Sequence, residues 1–202
     1  MMALPMRIHL AAALSSLALA FPALASEHYQ PVRVELVLVG AYGPGDVATY
    51  GGGMAIEPKY NVADQLALGM RIEAVGMGSQ SFYTTTGTTS LSARAAVAIL
   101  DKADVYLTTT SARPFLGFGA GLYTMGSSTS GVSGVGSEAF RGFGIAPQVG
   151  LNLGHFRMAA TYNVVTGSQQ IIAAVGTAPT LARSYFSFEI GGTIGGGRTD
   201  EK

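Results

Sequence analysis

The sequence predicts an all-β protein: an eight-stranded antiparallel transmembrane up-and-down β-barrel that follows a cleaved signal peptide. Three observations predict it. Apolar and polar residues alternate through eight segments, the pattern of strands whose two faces meet different surroundings. The connectors between those segments alternate between short and long. Charge is scarce, at 12% of residues, about half the usual share, and it falls on one face of the segments.

Residues 1–25 read as the signal peptide. Arg7 and His9 form a short basic region, Leu10 to Phe21 is apolar, and Ala23-Leu24-Ala25 supplies the small-x-small cleavage pattern. Ser26 then begins a single domain, the barrel, over 26–202. The apolar run is shorter than the roughly 20 residues of a spanning helix. No later stretch has 18 uninterrupted apolar residues, so after export the chain is expected to cross with strands. The expected destination is the outer membrane of a Gram-negative bacterium.

The eight segments are expected at about 32–42, 51–60, 65–77, 90–107, 113–125, 139–152, 155–166 and 181–195. Connectors 61–64, 108–112 and 153–154 are short. Connectors 43–50, 78–89, 126–138 and 167–180 are longer and rich in Gly, Ser and Thr. The first segment sets Val32, Val34, Leu36 and Leu38 against Arg33 and Glu35. The second and third put Glu57, Lys59, Arg71 and Glu73 on odd positions, with apolar residues or Pro on the even ones. In the fourth, Leu91, Ala93, Ala95, Val97 and Ile99 oppose Arg94. Asp101 interrupts this apolar face, and a turn at Asp101-Lys102-Ala103-Asp104 with a different strand count is the competing reading. The fifth opposes Leu116, Phe118, Ala120 and Leu122 to Arg113, Phe115, Gly117, Gly119 and Gly121. The sixth sets Phe143, Ile145, Pro147, Val149 and Leu151 against Gly142, Gly144, Gln148, Gly150 and Asn152. The seventh sets Phe156, Met158, Ala160, Tyr162 and Val164 against Arg157, Thr161 and Asn163. The eighth sets Phe186, Phe188, Ile190 and Ile194 against Ser187, Glu189 and Thr193.

In a soluble sandwich the polar faces would be solvated and dense in Lys, Glu and Asp. Here they carry Gly, Ser, Thr, Asn and isolated charges, with Arg more common than Lys. A guanidinium suits a buried network better than a strongly hydrated ammonium. The charges are therefore expected inside, in a polar interior filled by side chains: Arg33, Glu35, Glu57, Lys59, Arg71, Glu73, Arg94, Asp104, Arg113, Arg157 and Glu189. Cations and anions come close to balance in that set, as buried charge requires. Inward glycines are expected to leave room for Arg and Tyr from neighbouring strands. Tyr42, Tyr60, Phe140, Phe156, Tyr162, Tyr185 and Phe186 are expected near the membrane boundaries.

The phrases Ile56-Glu57-Pro58-Lys59-Tyr60, Leu68-Gly69-Met70-Arg71-Ile72-Glu73 and Arg113-Pro114-Phe115-Leu116-Gly117-Phe118-Gly119-Ala120-Gly121-Leu122-Tyr123 resemble the strand-turn-strand pattern of small outer-membrane β-barrel proteins, the OmpA- and OmpX-type barrels. The resemblance covers roughly residues 30–196 and is architectural. It implies fold and location. Many such barrels end in an aromatic residue read by the insertion machinery, whereas this chain ends Arg198-Thr199-Asp200-Glu201-Lys202. Either the signal lies inside, around Phe186 to Ile194, or the machinery reads a variant.

Function classes narrow by chemistry. Formal net charge is zero, so no basic excess suggests nucleic acid. Cys is absent and the histidines are His9, His28 and His155, with no paired spacing for a metal. No metal or cofactor is expected. Glu57 and Glu73 could be an acid/base pair, but Lys59 and Arg71 beside them favour a structural network. No catalytic residue is assigned, and the expected protein is not an enzyme. The expected role is structural or surface-interacting, as a monomer in outer-membrane lipid with four surface loops. Loops 78–89 and 167–180 carry apolar stretches, Ser81-Phe82-Tyr83 and Gln169 to Val175, that could contact an extracellular partner. A narrow porin-like channel or small-molecule carrier is the alternative, and a lipid-modifying outer-membrane enzyme a further one.

Overall fold

The computed structural model describes residues 28–44, 49–79, 91–131, 134–166 and 184–197. Of 79, 91–92, 127–131 and 134–140 it describes the backbone path alone. The signal segment 1–25 lies outside these residues. So do the 78–89 and 167–180 loops, apart from Gly78 and Ser79.

Eight strands follow one another: β1 (Val32–Gly43), β2 (Thr49–Ala63), β3 (Leu66–Ser79), β4 (Leu91–Tyr106), β5 (Ala112–Gly131), β6 (Gly134–Leu153), β7 (Phe156–Thr166) and β8 (Tyr185–Gly195). Each pairs antiparallel with its neighbour, and β1 pairs with β8, so the sheet closes. One circuit of Cα partners runs from Gln148 through Thr161, Ser187, Ala41, Gly51, Met77, Arg94 and Ser127 to Glu138. The circuit thus returns to β6 at 138 instead of 148. This stagger tilts the strands, and with eight of them the lumen is just wide enough for side chains to fill. Closure leaves no unpaired edge.

Alternation sorts the side chains as the parity of the sequence predicts. Leu36, Leu38, Ile72, Val97, Ile99, Leu116, Leu122, Phe143, Val149, Phe188 and Ile190 all lie on the outside and are exposed. Among the described residues, the charged side chains on outer strand positions are Asp101 and Arg141. Asp101 settles the ambiguity in the fourth segment. It lies within β4, paired with Met70 and Ala120, and the chain turns only after Tyr106. A carboxylate among Ile99, Val97 and Val105 is costly in lipid. Asp101→Leu is expected to raise stability by about 1 kcal/mol, seen as a higher urea midpoint of the folded band in bilayers. An unchanged or lower midpoint would mean that Asp101 has a partner.

Three expectations need correction. Residues 126–138 are not a long loop: β5 runs on to Gly131 and β6 starts at Gly134, so this hairpin projects as paired strands. Ser, Thr and Gly read as loop residues, yet ladder pairing overrides so weak a propensity. Tyr185 is not at a membrane boundary. It is fully buried in the lumen, because its odd position on β8 faces inward. Nor is the lumen polar throughout. Towards the long-connector end it is lined by Val37, Val39, Val75, Met77, Leu100, Met125 and Val165. Strand β1 is apolar on both faces there, so alternation carries no signal.

The other proposed boundary rings divide between the two ends. Tyr42 and Tyr50 approach with centroids 5.2 Å apart at the long-connector end. Tyr162 stacks on Phe186 at 4.4 Å. Phe156 is exposed beside the short turn that precedes β7, and Tyr60 is half-buried near the end of β2. The Phe140 side chain lies outside the described ones.

Inward glycines admit bulky neighbours. A Cβ on Gly144 would meet the Tyr123 ring at 2.6 Å, and one on Gly150 would meet Phe115 at 2.4 Å. At Gly121 the obstacle is backbone, with Ile99 O at 2.1 Å. Gly121→Val is expected to cost about 1–3 kcal/mol by forcing β4 and β5 apart, read from the same urea midpoint. An unchanged midpoint would show that this contact can relax.

The short turns close the other end, where β1 begins and β8 ends. The leader crosses it: Tyr29 is buried and its hydroxyl donates to Thr109 O at 2.7 Å. The Gln30 amide donates to Gly197 O at 2.9 Å. His28 meets Asp64 twice, through its backbone amide at 3.1 Å and its ring Nδ1 at 2.6 Å.

Candidate functional site

The chemistry of this barrel is concentrated in the half of the lumen nearest the short turns. Strands β1 to β5, β7 and β8 each aim charged residues into it, because charges at odd positions of β1–β3, β5, β7 and β8 and at even positions of β4 all face inward. Arg33, Glu35, Glu57, Lys59, Arg71, Glu73, Asp104, Arg113, Arg157 and Glu189 are all buried. Arg94 is half-buried on an inward position nearer the long connectors.

Lys59 is the hub. Its Nζ lies 2.7 Å from Glu35, 2.5 Å from Glu57 and 2.5 Å from Asp104. Those three carboxylates are close enough to hold a metal ion, but the Lys59 ammonium occupies the position where their oxygens converge. Arg157 binds the same group, 3.0 Å from Glu35 and 3.4 Å from Asp104, and its guanidinium lies 4.2 Å from the centre of the Phe115 ring. The geometry is that of an ion-paired cluster, in which Glu35 Oε1, Glu57 Oε2, Asp104 Oδ1 and Arg157 Nε make no hydrogen bond.

Arg71 organises a second group. It hydrogen-bonds Glu57 and Glu73, and reaches Glu189 with two bonds of 2.9 Å. Tyr185 donates to Glu73 at 2.6 Å, and Thr161 donates to Glu189 at 2.6 Å. Gln148 links the groups, donating to Glu189 at 2.8 Å and accepting from Arg157 at 2.7 Å and from Lys102. Buried charges persist only when paired and hydrogen-bonded; this web pairs every charge and hydrogen-bonds most of its polar atoms. Glu57 and Glu73 thus share Arg71 and are sealed from solvent, which removes access for an acid/base pair.

Sequence reasoning missed Lys102, whose Nζ lies 3.6 Å from Glu57 and 3.8 Å from Asp104. The turn considered at 101–104 hid it, although parity with Arg94 and Asp104 marks it as inward. It also missed two inward tyrosines, Tyr106 in the polar half and Tyr123 in the apolar packing. Tyr106 accepts from Arg33 and Tyr123 donates to Asn163 at 2.8 Å. A tyrosine packs well on either face of a strand, so its identity does not report direction. His155 sits exposed on the short turn before β7, with no partner for nucleophilic chemistry among the described residues.

No family model matches the sequence, and no curated protein matches it. Solved structures do match. The chain superposes on Ail, the attachment invasion locus protein of Yersinia pestis, in its complex with the heparin analogue sucrose octasulfate, with a TM-score of 0.50 and 11% identity. The match covers 84% of this chain and 98% of that one. The fold is that of the small eight-stranded outer-membrane barrels.

Two further barrels align less closely. Neisserial surface protein A gives a TM-score of 0.47 at 14% identity over 83% of this chain and 97% of that one. Outer membrane protein OprG of Pseudomonas aeruginosa gives 0.43 at 13% identity over 85% and 97%. At such identities the likeness concerns the fold alone. The ion web is therefore read from this barrel's own residues.

Proposed function

We propose that this chain is a non-enzymatic integral barrel of a Gram-negative outer membrane, a monomer that serves as a structural or surface-interaction element. The observation that carries this reading is the pairing of an apolar outer face with an occupied lumen. Leu38, Leu122 and Phe188 are each about two-thirds exposed, which suits lipid and not water. Inside, the ion web fills one half and the Val, Ala and Met packing fills the other. The barrel then presents its long connectors, including 78–89 and 167–180, to the outside, where a ligand, partner or surface would meet them.

Fractionation tests this directly. The protein is expected in the outer-membrane fraction, resistant to carbonate and urea, with migration on a detergent gel that changes on boiling. Release by carbonate or urea would instead favour a soluble periplasmic barrel. A second measurement tests the filled lumen: purified protein in liposomes is expected to give no reproducible single-channel steps. Steps that persist across preparations would favour a narrow channel.

A further inference from the structure

The buried charges do not balance, and the imbalance has an address. Among the described residues, six cations are buried (Arg33, Lys59, Arg71, Lys102, Arg113 and Arg157) against five carboxylates (Glu35, Glu57, Glu73, Asp104 and Glu189). Five of the cations have a carboxylate within ion-pair distance. Arg113 has none at that distance among the described residues, although the half-buried Asp64 carboxylate acts on it from further away. Its guanidinium is held between two rings, 3.8 Å from the centre of Tyr29 and 3.9 Å from that of Tyr106, and one Nη donates to the backbone oxygen of Asp64. Stacking fixes its plane without neutralising it.

Arg113 borders a cavity of about 70 Å³ at the short-turn end. Arg33, His155, Asn152, Thr193 and Gly195 to Gly197 also line it, and no carboxylate does. The volume exceeds the roughly 10–15 Å³ that one water needs, so it admits a tetrahedral oxyanion. Four of its lining residues carry a buried polar atom without a hydrogen bond, Arg113 Nε, Arg33 Nε, Asn152 Oδ1 and the Thr193 hydroxyl, and the other such atoms among the described residues belong to Asn61 and the ion web. Native proteins leave few buried polar groups unsatisfied, and a cluster of them needs a cause. Gly195 and Gly196 keep the cavity open. Both have positive φ, and a Cβ on Gly196 would press on the Arg33 stem at 2.8 Å.

We propose that this cavity binds a phosphate-type oxyanion, free or as a lipid headgroup, with Arg113 as its main charge partner. Arg33, Arg113, Thr193 and His155 line it from β1, β5, β8 and the turn before β7, which suits a tetrahedral anion with several acceptor faces. The site lies where strands end, so either bulk phosphate or a phospholipid headgroup can reach it. It does not depend on the surface role proposed above.

The test uses the full-length protein, refolded in maltoside micelles. Inorganic phosphate is titrated while the amide resonances of Gly195 to Gly197 and the Asn152 side chain are followed. Saturable shifts are expected, with chloride at matched ionic strength giving none. Arg113→Gln is expected to weaken phosphate by about tenfold or more, the loss of one charge-assisted contact. Ser111→Glu, on the exposed connector at the cavity mouth, is expected to weaken it similarly, and it carries the test if Arg113→Gln does not fold. Phosphatidylglycerol nanodiscs without free phosphate distinguish the source. The same resonances moving there identify a headgroup, and movement with inorganic phosphate alone identifies the free ion. Shifts that are absent with both probes, equal with chloride, or unchanged in both variants overturn the proposal.

Discussion

Arg71→Leu is expected to destabilise the barrel by about 3–5 kcal/mol, the cost of removing one partner from a buried ion cluster. Arg71 is fully buried and contacts three carboxylates. Glu57 would retain Lys59, Lys102 and Arg157. Glu73 and Glu189 would not fare as well, because Arg71 is the ion-pair partner that each has among the described residues. Their remaining contacts are neutral donors: Tyr185 for Glu73, and Thr161 and Gln148 for Glu189. The loss should therefore be recoverable. Adding Glu73→Gln and Glu189→Gln to Arg71→Leu removes the stranded charges and is expected to restore much of the stability. Urea titration in bilayers, following the heat-modifiable band, measures both. A full-strength Arg71→Leu variant would mean that the web contributes nothing to stability. A triple variant no better than the single one would assign the loss to packing instead of charge.

Leu38→Arg is expected to cost about 2–4 kcal/mol, the penalty for a cation on the lipid face near the midplane of a barrel. Leu38 is 68% exposed and lies between Met54 and Ile190, which also face out at 65% and 57%. The penalty comes from stripping water from a guanidinium with no partner nearby. Leu38→Phe changes volume but not polarity, so it should assemble normally. The yield of heat-modifiable protein after folding into lipid vesicles separates the two. Equal yields would mean that this face does not meet lipid.

The two substitutions sit on opposite faces of the same wall, and the parity of the sequence assigns both faces. Parity works because a side chain on a strand has two directions, and lumen and lipid select opposite polarity. It places Glu35, Glu57, Lys59, Arg71, Glu73, Arg157 and Glu189 inward without error, since each charge has only one tolerable side. It is silent where both sides tolerate the residue. Val37 and Val39 inside differ little from Leu36 and Leu38 outside. Tyr185 passes equally well for a boundary ring or a lumen hydroxyl. Asp101 is the harder case: it breaks the rule, and the break conceals Lys102, the inward residue beside it.

The sequence by itself determines the antiparallel up-and-down order and the inward face of most ionic residues, while the course of β4 through Asp101 and Lys102, and with it the strand count, needs the structure. Order and inward face follow from local alternation and connector length. Only the tertiary structure decides who meets whom. Lys59 sits between Glu35 on β1 and Asp104 on β4, and Arg71 on β3 reaches Glu189 on β8 across the lumen. Those partnerships depend on the stagger with which the sheet closes. That stagger is a property of all eight strands together, and no single segment encodes it. The same closure leaves Arg113 as the one buried cation without a carboxylate at ion-pair distance among the described residues, beside a cavity, although in the sequence it is one arginine among several on an inward face.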